Sequence, residues 1–317
     1  MTSGLALAPR DGTEAEKLMA NADLALDEGK RRVRGSFQEY LPRLSEGFER
    51  QTQLLPELRK AVDEGGLEMA YQPIFDRTGR VRAVEGLTRW NHPTLGVIPP
   101  SDFIPLAENS GMISSIGEWS LERACVQIDN WQKSLEEVPS ISINISTMHL
   151  RHPDFVRYVA RLFQAYPGSR GKLTMEVDDR IMNEDDREWH TEILEQLSSL
   201  GIVLSIDDFG NAYSSLTQLD GLNVHEVKVD RGFVARAAQS SGYLQLLHGM
   251  ISLVKGQGKT VVLQGIETPE MLGALSAVDC DTFQGFALAK PMPAEYAAEL
   301  FNTPHPEVAQ RIGLQQP

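Results

Sequence analysis

Cysteine is scarce in this chain, with only Cys125 and Cys280 among 317 residues. Both sit in core-like stretches without metal-ligand spacing. Two such residues make no disulfide framework, and the expectation is a reducing cytoplasm. No apolar run approaches the ~20 residues of a membrane span, and no signal peptide opens the chain. Membrane insertion is not expected. Basic residues are in deficit as well: 30 Lys and Arg against 44 Asp and Glu leave a net charge of -14. That field argues against a nucleic-acid backbone as partner. A small dianion stays admissible where local Arg, Lys or metal charge offsets it. The length, with 41% hydrophobic residues, suits one large domain and something small beside it.

What is present organises around Ser205-Ile206-Asp207-Asp208-Phe209-Gly210-Asn211-Ala212-Tyr213-Ser214-Ser215-Leu216. An apolar β-rich run ends there in two adjacent carboxylates and a glycine turn. Adjacent acids are costly unless a cation or a proton holds them. Strand patterns at Leu67–Ile74, Val81–Arg89, Ser140–Ile145, Lys172–Val177, Ile202–Ile206, Glu226–Val229, Thr260–Gln264 and Thr282–Phe286 alternate with helical ones. One helix is expected from Gly232 to Lys255. Eight strands and their helices over about 240 residues predict an α/β fold, a (β/α)8 TIM-like barrel. The turn Asp76-Arg77-Thr78-Gly79 makes a hairpin of the first two strands, so one strand runs antiparallel.

The flanking pieces are read more coarsely. Residues 1–42 pattern as strand, helix and strand, too short to bury a core alone. Residues 43–64 are an amphipathic linker, read as a helix pair broken at Pro56, with Leu44 and Phe48 on one face and Leu58, Ala61 and Val62 on another. The main domain spans 65–303, and 304–317 is a tail.

The ends of successive strands carry Glu85, Asn144, Glu176, Asp207 with Asp208, Lys228, Glu267 and Gln284. Singly, each is ordinary: strand-end acids are solvated and lysines lie on surfaces. Their recurrence is the signal, because hard oxygen ligands on rigid strand ends suit magnesium or manganese holding a phosphate ester.

With these residues in view, 65–303 resembles an EAL domain, the cyclic di-GMP phosphodiesterase family. The matching segments are Tyr71-Gln72-Pro73-Ile74, Glu85-Gly86-Leu87-Thr88-Arg89-Trp90, Phe103-Ile104-Pro105-Leu106-Ala107-Glu108, Asn144-Ile145-Ser146, Asp207-Asp208-Phe209-Gly210, Lys228-Val229-Asp230 and Gln284-Gly285-Phe286. The resemblance implies that cyclic di-GMP lies across the barrel mouth. It also implies that Glu85, Asn144, Glu176 and Asp207 match metal ligands of active members, with Asp208 serving a second metal. Arg89 would fork onto phosphate, Gln72 and Gln284 would read guanine edges, and Leu87, Phe286 and Pro291 would face the bases. Glu85, Asn144, Asp207 and Glu267 complete the ligand-contact set.

Three positions depart from the family pattern. Glu-Gly-Leu replaces Glu-Ala-Leu at Glu85-Gly86-Leu87. Gln264 stands where the family has its proposed general base, and Asp178-Asp179 replaces Thr-Glu. These departures predict a binding module: no catalysis, no required metal or other cofactor, and cyclic di-GMP as ligand. The alternative is a working or slow metal-dependent phosphodiesterase giving linear pGpG. Leu7-Ala8-Pro9-Arg10-Asp11-Gly12 and Asn21-Ala22-Asp23-Leu24-Ala25 resemble the C-terminal end of a GGDEF domain. A degenerate tandem of that kind resembles the FimX type, which implies a PilZ-type adaptor as partner and a role in type IV pilus control.

Overall fold

A computed structural model describes residues 2–32, 36–182, 187–210 and 219–312. Asn211 to Leu216, which continue the Asp207-Asp208 run, lie outside the described residues, and so does the Phe48 side chain. The chain forms two compact units, Met1–Gly66 with Trp90–Ser110, and Leu67–Arg89 with Gly111–Pro317.

In the first unit, strand β1 (Ser3–Leu5) pairs in parallel with β2 (Phe37–Glu39), joined through helix α1 (Ala15–Arg32). Helix α2 (Pro42–Glu64) runs unbroken through Pro56, which corrects the expected helix pair. A mid-helix proline forfeits one backbone hydrogen bond and costs ~3 kcal/mol. Burial of Leu54, Leu58 and Ala61 on either side of it offsets that cost. Gly65 closes the helix in the left-handed conformation (φ 92°), and its N–H donates to the Ala61 carbonyl.

Strands β3 (Leu67–Asp76) and β4 (Val81–His92) follow. The far end of β4 belongs to the first unit and pairs antiparallel with β5 (Gly96–Ile98). Helix α3 (Pro100–Ser110) completes that unit, with Phe103 edge-on to Trp90 at 5.9 Å.

The second unit is the barrel. After α4 (Ile113–Ser134) come β6 (Ser140–Ile145), α5 (Thr147–Leu150), α6 (Phe155–Ala165), β7 (Leu173–Asp178), α7 (Arg187–Ser199), β8 (Val203–Phe209) and β9 (Glu226–Val229). Then α8 (Arg231–Gln239) and α9 (Ser241–Gly256) stand where one helix is expected, because Ser240 is extended (φ -138°, ψ 124°). The unit ends with β10 (Thr260–Leu263), α10 (Pro269–Leu275), β11 (Thr282–Phe283), α11 (Ala294–Ala298) and α12 (Pro306–Arg311).

The strands are ordered β3-β11-β10-β9-β8-β7-β6-β4, and a β3–β4 pairing closes the ring. From β4 round to β11 neighbours are parallel, while β11 meets β3 antiparallel. The fold is therefore the expected TIM-like barrel with one reversed strand. Period-two alternation builds it. Ile141, Ile143 and Ile145 of β6 share one buried core with Leu121, Ala124 and Ile128 of α4. Ser142 and Asn144 take the opposite side of the strand. Cys125 and Cys280 are unpaired thiols, both buried, and burial pushes them up, to about 11 and about 12. Among the described residues, no helix is long and apolar enough to cross a membrane.

Candidate active site

Parallel register brings the polar strand ends to one rim. Asn144 of β6 lies opposite Glu176 of β7, and Asp178 opposite Asp207 of β8. In β9, Glu226 and Lys228 fall two apart and so point the same way. The pairing of β8 with β9 slips between Ile206 and Phe209, setting three steps of β8 against two of β9. That extra residue is a bulge, a device that re-aims side chains beside active sites. A regular strand would send Asp207 and Asp208 to opposite faces, whereas here Asp208 takes a left-handed φ of 55°, which aspartate tolerates.

Lys228 is the centre of the bonded network. It has no solvent exposure, and its Nζ donates to Glu176 Oε1 at 2.6 Å and Glu85 Oε2 at 3.1 Å. Glu85 Oε1 also accepts from Asn144 Nδ2 at 2.9 Å, and Oε2 from Gln284 Nε2 at 2.6 Å. Gln284 Nε2 lies 3.3 Å from Gln72 Oε1, and Gln72 Nε2 donates to the Ala289 carbonyl at 3.1 Å. Apart from these contacts, Asp207 Oδ1 accepts from Gln264 Nε2.

Burial alone would lower the ammonium pKa, but the carboxylates of Glu176, Glu85 and Asp207 outweigh it and hold Lys228 above the usual lysine range. Glu85 also overcomes burial, through Lys228, Gln284 and Asn144, and sits below the usual carboxylate range. Glu176 goes the other way: burial and the Glu85 and Asp207 charges push it up. Burial, then Asp207 and nearby acids, push Asp208 to about 6. Glu226 is raised too, chiefly by burial. Among the described residues, the bonded network sets one ammonium, Lys228, against the carboxylates of Glu85 and Glu176.

Among the described residues, no group of three or more His, Cys, Asp or Glu converges in a metal-holding arrangement. The donors nevertheless fit a hard cation. Glu176 Oε2 is buried with no hydrogen-bond partner, and the neighbouring donors are carboxylate and amide oxygens, the ligands magnesium and manganese take.

The remaining residues named from the sequence lie outside that network. Arg89 is half-buried, with Nη1 donating to the Thr88 carbonyl at 3.0 Å; burial lowers its pKa. Leu87 and Pro291 are half-buried and Glu267 is exposed. Phe286 is 54% exposed, with Lys290 Nζ 6.0 Å from its ring centre. Glu226 was not among the residues singled out, although its two-residue spacing from Lys228 carried the signal.

The EAL domain family matches residues 56–291, and the chain belongs to it. It is 36% identical over 293 residues to the bifunctional diguanylate cyclase/cyclic di-GMP phosphodiesterase MucR of Pseudomonas aeruginosa, covering 92% of this chain and 43% of that protein. It is 34% identical to the cyclic di-GMP phosphodiesterase NbdA of the same organism, covering 92% and 37%. The chain thus spans less than half the length of these relatives. The solved MucR phosphodiesterase in complex with c-di-GMP superposes with a TM-score of 0.72 at 36% identity, covering 77% of this chain and 99% of that one. The FimX EAL domain of Xanthomonas citri with c-di-GMP superposes at 0.71 (78% and 97% covered) but at 17% identity, which shows the fold alone.

Two expectations are corrected here. The reading of the chain as no enzyme, with its general base lost at Gln264, is overturned by relatives of 30–36% identity named as cyclic di-GMP phosphodiesterases. The physical reason is one of magnitude. A general base contributes ~10²–10⁴-fold, and a bound metal would itself lower the pKa of water, so a missing base is by itself no ground for excluding catalysis. The expectation that no metal is required falls with it, because EAL phosphodiesterases depend on magnesium or manganese.

Proposed function

We propose that this chain hydrolyses cyclic di-GMP to linear pGpG in a magnesium- or manganese-dependent reaction. The observation that carries the reading is the buried acid–lysine network at the strand ends, with Glu176 Oε2 left without a partner. The phosphodiesterase names of the relatives support it. The bound cation would lower the pKa of water and polarise the phosphoryl group. Glu85, Asn144, Glu176 and Asp207 would hold it, with Asp208 beside them.

Lys228 fixes Glu85 and Glu176 and offsets their charge. Arg89 takes a phosphate oxygen by charge-assisted bonds. Gln284, bonded to both Gln72 and Glu85, orients that carboxylate, and Leu87, Phe286 and Pro291 face the bases. In the balanced step, water adds to phosphorus, one P–O ester bond of the ring breaks, and the leaving oxygen receives a proton. The test is chromatographic detection of pGpG after incubation with cyclic di-GMP and manganese, with a chelator control. Product that needs the metal is expected. No product with either manganese or magnesium would overturn the reading.

Residues 1–42 we assign to the end of a GGDEF domain. The match to a bifunctional diguanylate cyclase/phosphodiesterase over 92% of the chain supports this, since it reaches beyond the EAL segment. The narrower FimX-type reading, with a PilZ-type adaptor and a pilus role, gains only a shared fold from FimX domains 17% and 19% identical and forms no part of the proposal.

A further inference from the structure

Gln264 follows directly on β10 and is half-buried beside Asp207 of β8. Its amide orientation is fixed by chemistry. A carboxylate offers only acceptors, so the amide nitrogen faces it and Nε2 donates to Asp207 Oδ1. We propose that Gln264 is a positioning residue that ties one oxygen of Asp207 and leaves Oδ2 to the catalytic cation. This deepens the function proposed above and rests on it.

Three observations carry the inference. Asp207 stands in a bulge, where the ladder does not constrain its neighbour: Asp208 has turned to a left-handed φ. The lysine at the centre of the site donates its Nζ hydrogen bonds to Glu85 and Glu176, with none to Asp207 among the described residues. The rim already gathers Glu85, Glu176, Asp207 and Asp208. A further acid at 264 would add like charge against Asp207, whereas a neutral amide orients the carboxylate and adds none. Groups that hold a metal ligand from behind commonly contribute 10–100-fold in metal affinity.

The experiment titrates manganese alone into the whole chain by calorimetry, without nucleotide, for the wild type and Gln264→Met. Methionine keeps the length of the side chain and lacks the donor. Thermal melts in chelator confirm that both proteins are folded, and Gln264→Ala serves as a second variant should the methionine protein not fold. Manganese dissociation constants raised roughly 10–100-fold are expected, with KM for cyclic di-GMP unchanged and kcat reduced at limiting metal. Unchanged manganese affinity in the variants, or no manganese binding by the wild type, overturns the proposal. A wild type that binds manganese in a Gln264-dependent way yet yields no pGpG would sink the phosphodiesterase reading alone.

Discussion

Burial without exposure makes Lys228 the residue whose loss the molecule should feel most. Its ammonium is the cation bonded to both Glu85 and Glu176, and removing one partner of a buried ion pair costs about 3–5 kcal/mol. Lys228→Met should therefore lower the urea unfolding free energy by that order at pH 7, and an unchanged midpoint would show that the carboxylates find another partner. His149 offers a second test, of the opposite kind. It is 1% exposed, with Phe155 edge-on at 4.5 Å. Burial, helped by the neighbouring His152, pulls its pKa from 6.5 to about 4. The unfolded chain then takes up a proton that the folded one refuses, so this contribution to stability is full above the unfolded value near 6.5. It is lost as pH falls toward about 4, by up to ~3 kcal/mol. The difference in unfolding free energy between wild type and His149→Gln should change across that window and stay flat above pH 7. At this scale the sequence singles out Glu85, Asn144, Glu176, Asp207, Lys228 and Gln284 as strand-end residues, but not the bonds among them. That Gln72 and Gln284 face each other across 212 positions depends on barrel closure, which no local pattern encodes.

Elements were the most legible level, because period two and turn residues are local signals. All eight barrel strands lie where alternation places them, and the Asp76–Gly79 turn announced the reversed strand. Helix ends were less legible. Gly232 to Lys255 reads as one helix, yet Ser240 leaves the helical region and splits α8 from α9. Pro56 departs in the opposite sense, because proline's local penalty can be outweighed by burial on either side, which a sequence does not show. The same comparison gives a prediction. Pro56 is exposed in α2, so Pro56→Ala should restore a backbone hydrogen bond and raise the thermal midpoint, by at most the ~3 kcal/mol proline penalty. A lower midpoint would mean that the proline sets a bend the fold needs. Gly86 in β4 shows the reverse case, a residue explained by its surroundings. A methyl added there would meet Ile143 Cδ1 at 2.6 Å and Met69 Sδ at 2.9 Å, so these side chains have taken the room that the family's alanine would occupy.

Across the whole molecule, charge and function pull in different directions. The chain carries -14, while the proposed substrate is itself a dianion, so the long-range field repels what the mouth must bind. Attraction comes only from close groups, such as the Arg89 guanidinium and Lys290 beside Phe286, and from any bound cation. The two contributions separate by distance, because salt screens the far field first. The Debye length falls from ~30 Å at 0.01 M to ~8 Å at 0.15 M ionic strength. At the lower value the whole acidic surface acts on an approaching nucleotide, and at the higher one only groups around the mouth do. Association of cyclic di-GMP, read as kcat/KM at fixed saturating manganese or as a stopped-flow binding rate, should therefore rise with added salt over that range. Proteins steered toward an oppositely charged ligand show the reverse slope. A rate that falls with salt would mean that the cations at the mouth dominate even at long range, and that the acidic surface faces away from the substrate's path.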